Sequence, residues 1–515
     1  MNNQVGVIEF KFYDWLDTDL HLNYWLQEGV RGRIVGWGIW REMNLSLRDL
    51  TPGEASHLAQ ELPLMWRGFT IHQSGKVRWS IERDGRRVVI WDLWNWVKRP
   101  PRQGETARAL YLAIRSAGNK MGVSPRGYYG NGNLASPILR VNEVSPPFIQ
   151  EIDEPSRAAF YGGRIQSVRI GRHVGPVYEY DLNSAYAWGL SQLPEITGYH
   201  RGTDNDWCLV DAEWEIPAKQ GPIYPFPVRA KGGKVEYPRR GRGWQWSPLY
   251  REAKRHWPRH VTLHDCIQLE TTSNRPFAFI HDLYAARQSI TNPLESAVAK
   301  WTLSALWGKL CQRPHGRPER QSYRNLMLAG MATSLVNAEL LRVAMLNPSG
   351  IWSFGVDSLI SSEPLPCGTG TSLGWWKTAQ YQAIEAYQPG FWRCLRPDGT
   401  WKEKSRGVPE GAFDWEEAAK EWKKYGSYGR VPVSWEEFVG LSSSVEGSEG
   451  WLSTRNIEQL VLLRPGGTKG LRELMKAGAG ETLTWKPPSS IDETEPFGVG
   501  YGLDHSADSG QEALF

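Results

Sequence analysis

Two carboxylates stand out by their surroundings. In "VYEYDLNSAYAWGL", Asp181 closes an alternating strand and precedes a polar turn and a helix carrying Tyr186. In "IWSFGVDSLISSE", Asp357 sits between two short apolar runs, the pattern of a tight β-hairpin with one acid at its tip. Either acid alone also reads as a cap on the next turn or helix, since Asp accepts backbone N–H groups there. Together, two strand-end carboxylates on one sheet can grip a pair of divalent ions, which align an attacking hydroxyl with a nucleoside triphosphate. That chemistry needs cations for the triphosphate. The segment "NPLESAVAKWTLSALWGKL" offers Lys300, Ser304 and Trp307 on one helical face, and Arg287 in "HDLYAARQSI" lies on an earlier helical segment. Each basic residue, taken singly, is equally a solvated surface charge.

The elements that must position these residues are legible in outline. Residues 1 to about 100 read as a β-meander with helices after it; in "FTIHQSGKVRWSIERDGRRVVIWDLW" apolar residues alternate around "SG" and "DG" turns. From Pro101 to about Met121 apolar residues recur at helical spacing, and a Gly-, Asn- and Pro-rich loop to about residue 148 marks the best boundary. Asn292 and Pro293 open the second helix as cap and first residue. A third helix, within residues 322–346, is apolar nearly all round and is expected to lie buried under a sheet. Beyond about Lys486 the Pro-, Ser-, Gly- and acid-rich chain reads as a disordered tether.

Composition narrows the class. At 515 residues the chain can bury a sizeable core, and a net charge of +4 from 60 basic and 56 acidic residues leaves any nucleic-acid argument to local clusters. The five cysteines lie far apart without CxxC or CxxH spacing, which points away from a zinc site or a disulfide framework and towards a reducing cytoplasm. No signal peptide is expected at the N-terminus, and no apolar segment approaches the ~18 residues of a membrane span. The 27 tryptophans fit either aromatic packing or base-stacking surfaces.

Taken in order, these segments resemble the motifs of family B DNA polymerases, in particular the protein-primed phage-type branch. "DLNSAYA" is similar to DxxSLYP and keeps Asp181, Ser184 and Tyr186. "KWTLSALWG" is similar to KxxxNSxYG; it keeps Lys300 and Gly308, with Ser304 for Asn, Ala305 for Ser and Trp307 for Tyr. "SFGVDS" is similar to YxDTDS and keeps Asp357 and Ser358, with Gly355 in place of the first acid. "FYGGR" resembles the YxGG segment that links the exonuclease and polymerase domains and contacts template, with Phe160 for Tyr.

The resemblance implies a right-hand α+β polymerase of palm, fingers and thumb. It assigns Asp181, Asp357 and the Leu182 backbone carbonyl to two magnesium ions, with manganese as a substitute. Tyr186 would lie beneath the incoming sugar, Arg287 and Lys300 would hold the triphosphate, and Ser304 and Trp307 would border the nascent base pair. Phe160, Gly162 and Gly163 would contact template. The stretch "RAKGGKVEYPRRGRGWQW" puts Lys231, Lys234, Arg239, Arg240 and Arg242 among Tyr237, Trp244 and Trp246, a mixture suited to phosphate contacts and stacking or to a solvated basic hairpin. The KxY motif of the thumb has no good match, since "YQPGFW" has Pro389 at the lysine; Lys404 and Arg406 read equally as substitute phosphate contacts or as exposed surface charge. The insertion that encircles DNA in protein-primed relatives shrinks to "LCQRPHGRPERQ", which implies lower intrinsic processivity.

The implied domains are an exonuclease-like, RNase H-like fold at 1–150, palm at 151–285 and 326–385 with an inserted subdomain in its first part, fingers at 286–325, thumb at 386–485 and a tail at 486–515. Glu9, Asp14, Asp17 and Asp19 form no DxE pair, so the first domain is expected to lack nuclease activity. The terminal "QEALF" resembles the QxxLF peptide that docks in bacterial sliding clamps, through Gln511, Leu514 and Phe515. The expectation is thus a DNA polymerase using primer-template DNA, deoxynucleoside triphosphates and a bacterial sliding clamp in the cytoplasm of a bacterial or phage-infected cell. The alternative is a catalytically inactive, polymerase-like DNA-binding accessory factor.

Overall fold

The structure is a computed structural model that describes residues 6–7, 18–28, 32–39, 43–44, 46–47, 49–74, 77–99, 101–125, 127–147, 149–203, 206–229, 235–312, 323–408, 411–425, 429–438, 454–463 and 483–484. The chain divides into two compact units. Met1–Val144, His281–Lys309 and Glu436–Ile457 form the first, and Ser145–Ile280, Leu310–Trp435 and Glu458–Phe515 form the second.

The first unit is built on a six-stranded sheet, ordered Gly6–Val7, Arg33–Gly36, Arg86–Asp92, Arg78–Arg83, Phe69–Ser74, Leu64–Trp66. Its last four strands are an antiparallel meander, as the alternation predicts, but the first two join it in parallel. Asp84 and Gly85 turn with φ of 51° and 75°, and Arg67 and Gly68 with 42° and 81°. Positive φ at both central residues matches the twist of a tight hairpin, which the "DG" pair announces and the "RG" pair hides. Helices follow the meander as expected, and two further helices, Thr18–Glu28 and Pro52–Ala59, come before it. The second of them is set by a capping box: Thr51 Oγ1 accepts the Glu54 N–H at 3.3 Å, and Glu54 Oε2 accepts the Thr51 N–H at 2.8 Å. Leu22, Leu58, Phe69, Trp79, Ile81 and Ile90 share one buried cluster.

Helix Ala107–Lys120 starts at a Thr106 cap, as its periodicity predicts. The loop expected after it holds another helix, Gly132–Val141, which tolerates Pro137 inside, and the division between units falls after Val144. Helix Pro293–Cys311 opens with Asn292 Oδ1 accepting the Glu295 N–H at 3.0 Å. The sequence separates this helix as its own domain; its residues up to Lys309 instead group with the first unit. Glu295 pairs with Lys120 at 2.8 Å, and Thr302 Oγ1 donates to Asn131 Oδ1 at 3.5 Å.

The second unit contains an eight-stranded sheet. Seven strands run in the order Trp401–Ser405, Phe391–Leu395, Trp376–Gln388, Arg169–Leu182, Ser358–Ser361, Ile351–Val356, Arg164–Ser167, and Leu483–Thr484 also pairs with Arg169–Leu182. The expected break between palm and thumb at residue 386 cuts through one of these strands, and the sheet continues to Ser405. A four-stranded antiparallel sheet lies in the same unit, ordered Arg240–Trp246, Cys208–Glu215, Val261–Thr271, Ile196–Arg201. Helix Leu326–Ala344 starts at Asn325, whose Oδ1 accepts the Leu328 N–H at 2.8 Å. It is long and apolar enough to cross a membrane, contrary to the reading of the bare sequence, but Val336, Leu340, Leu341 and Val343 pack in one core with Tyr180, Phe354 and Leu359. All five cysteines are free thiols.

Candidate active site

Asp181 lies near the end of Arg169–Leu182, the strand flanked by the hairpin on one side and Trp376–Gln388 on the other. Its register partners are Ser358 and Lys377. Asp357 is the single residue between strands Ile351–Val356 and Ser358–Ser361, so the hairpin is as tight as its sequence predicts. The Leu182 N–H donates to the Asp357 carbonyl at 2.9 Å. Ladder and hydrogen bond together bring Asp181, Leu182 and Asp357 to one place on the sheet.

The tip bends at Val356. Its φ is +69°, and the Asp357 N–H donates to the Gly355 carbonyl at 2.8 Å, closing a γ-turn. Such backbone on a β-branched residue costs on the order of 1–3 kcal/mol and persists only where its surroundings enforce it. Here Gly355 and Val356 pair with Ile165 and Arg164, and Ser358 pairs with Asp181. A glycine at the tip would be the natural place for such backbone, but Gly355 has no positive φ and the strain sits one residue later. Ser358 Oγ donates to the Gly355 carbonyl at 3.0 Å and would lie 2.6 Å from a Cβ added at Gly355.

Tyr186 follows on helix Ala185–Ser191, entered through Asn183 and a left-handed Ser184 with φ 49°. A Cβ on Gly163 would stand 2.3 Å from the Tyr186 hydroxyl and 2.5 Å from Val356 Cγ1. The second glycine of "FYGGR" thus makes room for both the tyrosine and the strained tip. Burial pushes the Tyr186 phenol well above its ordinary pKa, and Asp357 adds to the shift, so it stays a neutral hydroxyl. The Asp181 side chain remains 46% exposed, with Lys377 Nζ 3.9 Å from its Oδ2.

Three residues bearing on this geometry escaped the sequence reading. Lys377 has no motif around it; only register brings it beside Asp181. Asn183 Nδ2 donates to the carbonyls of Gly370 and Ser372 at 2.9 and 3.2 Å, tying the turn after Asp181 to the loop before Trp376. Arg164, 1% exposed, lies between the rings of Tyr237 and Phe354 at 4.1 and 3.9 Å. It donates to Gln166 Oε1 and the Tyr224 carbonyl, and burial lowers its pKa to about 10. The arginine after two glycines was the visible signal.

The remaining candidates are more dispersed. The Phe160 carbonyl accepts from Arg229 at 2.6 Å, and Gly162 is exposed. Arg240 and Arg242 lie on strand Arg240–Trp246, with Arg239 just before it; Arg242 grips Asp211 Oδ2 through two nitrogens at 3.0 and 2.7 Å, and Arg239 donates to the Ile216 carbonyl. Tyr237 and Trp246 are buried. Lys404 and Arg406 are exposed at the edge strand Trp401–Ser405 and just after it. In the first unit, Lys300 and Ser304 are exposed, with Ser304 Oγ donating to the Lys300 carbonyl at 3.4 Å, whereas Trp307 is buried, so the expected shared face is divided. Arg287 lies over the Tyr284 ring at 5.6 Å. Glu9, Asp14, Asp17, Lys231, Lys234, Gln511, Leu514 and Phe515 lie outside the described residues.

No protein-family model matches the chain, and no curated protein matches its sequence. Solved structures do. Phi29 DNA polymerase complexed with primer-template DNA and incoming nucleotide substrates superimposes with a TM-score of 0.59 at 12% identity, covering 87% of this chain and 93% of that one. Phi29 DNA polymerase complexed with single-stranded DNA gives 0.50 at 11%, covering 78% and 88%. The family B DNA polymerase of the archaeon Pyrobaculum calidifontis gives 0.37 at 11%, covering 95% and 69%. The mixed α+β chain has the fold of phi29 DNA polymerase.

Proposed function

We propose that this chain is a template-directed DNA polymerase of the protein-primed phage-type branch, adding deoxynucleotides to a primer 3′-hydroxyl. The observation that carries the proposal is the adjacency of Asp181 and Asp357: Asp181 pairs in register with Ser358, the residue after Asp357, and the Leu182 N–H donates to the Asp357 carbonyl at 2.9 Å. Two carboxylates and the Leu182 carbonyl are hard oxygen donors, a set that fits magnesium. Bound there, two magnesium ions supply Lewis-acid activation of the hydroxyl and neutralise charge on the triphosphate.

On this reading the eight-stranded sheet is the palm and helices Ile280–Gln288 and Pro293–Cys311 are the fingers. The thumb follows Ser405, and the six-stranded sheet belongs to an exonuclease-like domain without nuclease activity. Tyr186, held against Gly163, presents a fixed neutral ring to the incoming sugar and excludes a 2′-hydroxyl. Arg287 and Lys300 hold the triphosphate, while Ser304 and Trp307 border the base pair. Phe160, Gly162, Gly163, Arg239, Arg240, Arg242, Lys404 and Arg406 contact the DNA backbone. Arg242 does so by exchanging Asp211 for phosphate.

The terminal Gln511, Leu514 and Phe515 tether the enzyme to a bacterial sliding clamp, raising its concentration at the primer end. Leu514→Ala with Phe515→Ala should abolish clamp binding and spare short-template extension; clamp binding that survives the change removes this part of the proposal. The alternative, an inactive DNA-binding accessory factor, draws on Gly355 and Pro389, which replace an acid and a lysine of the family pattern. Extension of a labelled primer with magnesium and four deoxynucleotides separates the two. DNA binding without incorporation favours the inactive factor.

A further inference from the structure

A buried cation lies behind the hairpin tip of the second unit. Arg164 is 1% exposed, and no carboxylate pairs with it among the described residues. Burial lowers its pKa only to about 10, so it keeps its charge at neutral pH. Such a charge is strongly destabilising unless hydrogen bonds and ring faces take the place of water. Here Nε and Nη2 both donate to Gln166 Oε1, and Nη2 also donates to the Tyr224 carbonyl at 2.9 Å. The guanidinium carbon lies 3.9 Å from the centre of the Phe354 ring and 4.1 Å from that of Tyr237.

These partners come from separate segments. Phe354 is on strand Ile351–Val356, two residues before the strained Val356, and Arg164 itself pairs in register with Val356. Tyr224 precedes strand Val228–Arg229, and Tyr237 precedes Arg240–Trp246. The Tyr237 hydroxyl has no hydrogen-bond partner among the described residues, so its ring is what meets the guanidinium. On the other side, Gly163 leaves no room for a side chain between the Tyr186 hydroxyl and Val356 Cγ1. The backbone at Gly163 is thus wedged between Tyr186 and the tip, with the Arg164 stack closing it from behind. Burial, Asp357 and then Tyr237 raise the Tyr186 pKa, which puts the Tyr237 phenol in the same surroundings.

We propose that Arg164 is a positioning residue for selection of the nucleotide sugar: stacked between Phe354 and Tyr237, it holds Gly163 and the hairpin tip against Tyr186 and fixes that ring in place. The inference rests on the polymerase reading, in which Tyr186 lies beneath the incoming sugar, and adds to it the group that keeps the tyrosine still. A ring free to shift would admit the 2′-hydroxyl that a fixed ring excludes. Arg164 acts through its neighbours.

The experiment measures kcat/KM for the templated deoxynucleotide and for its ribonucleotide counterpart on one preparation of the full chain, because their ratio does not depend on how much of the protein is folded. Arg164→Met, which keeps an unbranched stem without the charge or the fork, should lower the preference for deoxyribose by about 10–100-fold. Arg164→Lys should lower it by less, since it keeps the charge but not the planar stack. Tyr237→Leu should follow Arg164→Met, whereas Tyr237→Phe should keep the native ratio. A second measurement needs no bond formation: the ratio of dissociation constants for the two triphosphates at a dideoxy-terminated primer-template should fall in the same order. A native ratio in Arg164→Met, whatever its melting temperature, overturns the proposal and leaves the polymerase reading standing, as does a native chain that takes both sugars equally. A native chain that binds neither triphosphate and adds neither nucleotide overturns both.

Discussion

Asp92 in the first unit and Asp181 in the second both stand at or near the end of a sheet strand, yet in opposite surroundings. Asp92 is fully buried, and its Oδ1 accepts the N–H groups of Gly38 and Trp94 at 2.9 and 2.8 Å. That carboxylate is part of the fold: it satisfies backbone donors where the strand gives way to the next helix. Asp181 keeps 46% of its side chain exposed, has a cation at 3.9 Å and is tied through Leu182 to the backbone of a second acid. The strand-end position is therefore uninformative by itself. On the proposed reading, what sets Asp181 apart is exposure together with a second acid at the tip of the neighbouring hairpin.

The largest expected effect breaks that contrast directly. Asp181→Ala should lower primer extension by at least about a thousandfold with little change in melting temperature, because on the proposed reading its carboxylate would hold the magnesium that offsets charge on the reacting phosphate. Asp92→Ala should do the reverse, costing about 1–3 kcal/mol by leaving two buried N–H donors unsatisfied, while enzyme that remains folded extends normally. Extension kinetics and thermal melts on both variants check this pair, and equal stability losses would erase the distinction.

A smaller effect is expected from Gly163→Ala. The new methyl would press on the Tyr186 hydroxyl and Val356 Cγ1, at 2.3 and 2.5 Å before relaxation. The displacement should raise KM for the incoming nucleotide and lower kcat, together by about 10–100-fold, a range typical of misplaced positioning groups. Tyr186→Phe in the same chain should restore part of the loss by removing the closest atom. Steady-state incorporation by the single and double variants measures it.

The smallest expected effect concerns Lys377, which on the proposed reading would compete with metal for Asp181. A half-exposed pair of this kind is worth about 0.2–1 kcal/mol, so Lys377→Met should lower the half-saturating magnesium concentration by up to about fivefold. A magnesium titration of extension, or manganese binding without substrate, shows the shift. A higher requirement for metal would mean that the lysine assists the site.

Much of this site is visible in the sequence because its determinants are local. Alternation ending at Asp181, the short apolar runs around Asp357 and the Asn292–Pro293 start of a helix each encode their own geometry. Relations made by register are not visible: nothing in "WWKTAQ" announces that Lys377 lies opposite Asp181. The location of strain was equally hidden, since composition points to Gly355 whereas the paired strands force the positive φ onto Val356. Grouping of distant segments escaped for the same reason. Helix Pro293–Cys311 reads as a separate domain, but the Lys120–Glu295 pair and the Thr302–Asn131 hydrogen bond connect it to residues far earlier in the chain.

The central claim is that Asp181 and Asp357 work as a pair in nucleotide addition. Its most direct test is single-turnover incorporation of one templated deoxynucleotide, in magnesium, by the native chain and by Asp357→Ala at equal DNA occupancy. The account predicts addition of the template-matched nucleotide by the native chain and none by the variant. Equal rates from the two proteins, or no addition by the native chain, would contradict it.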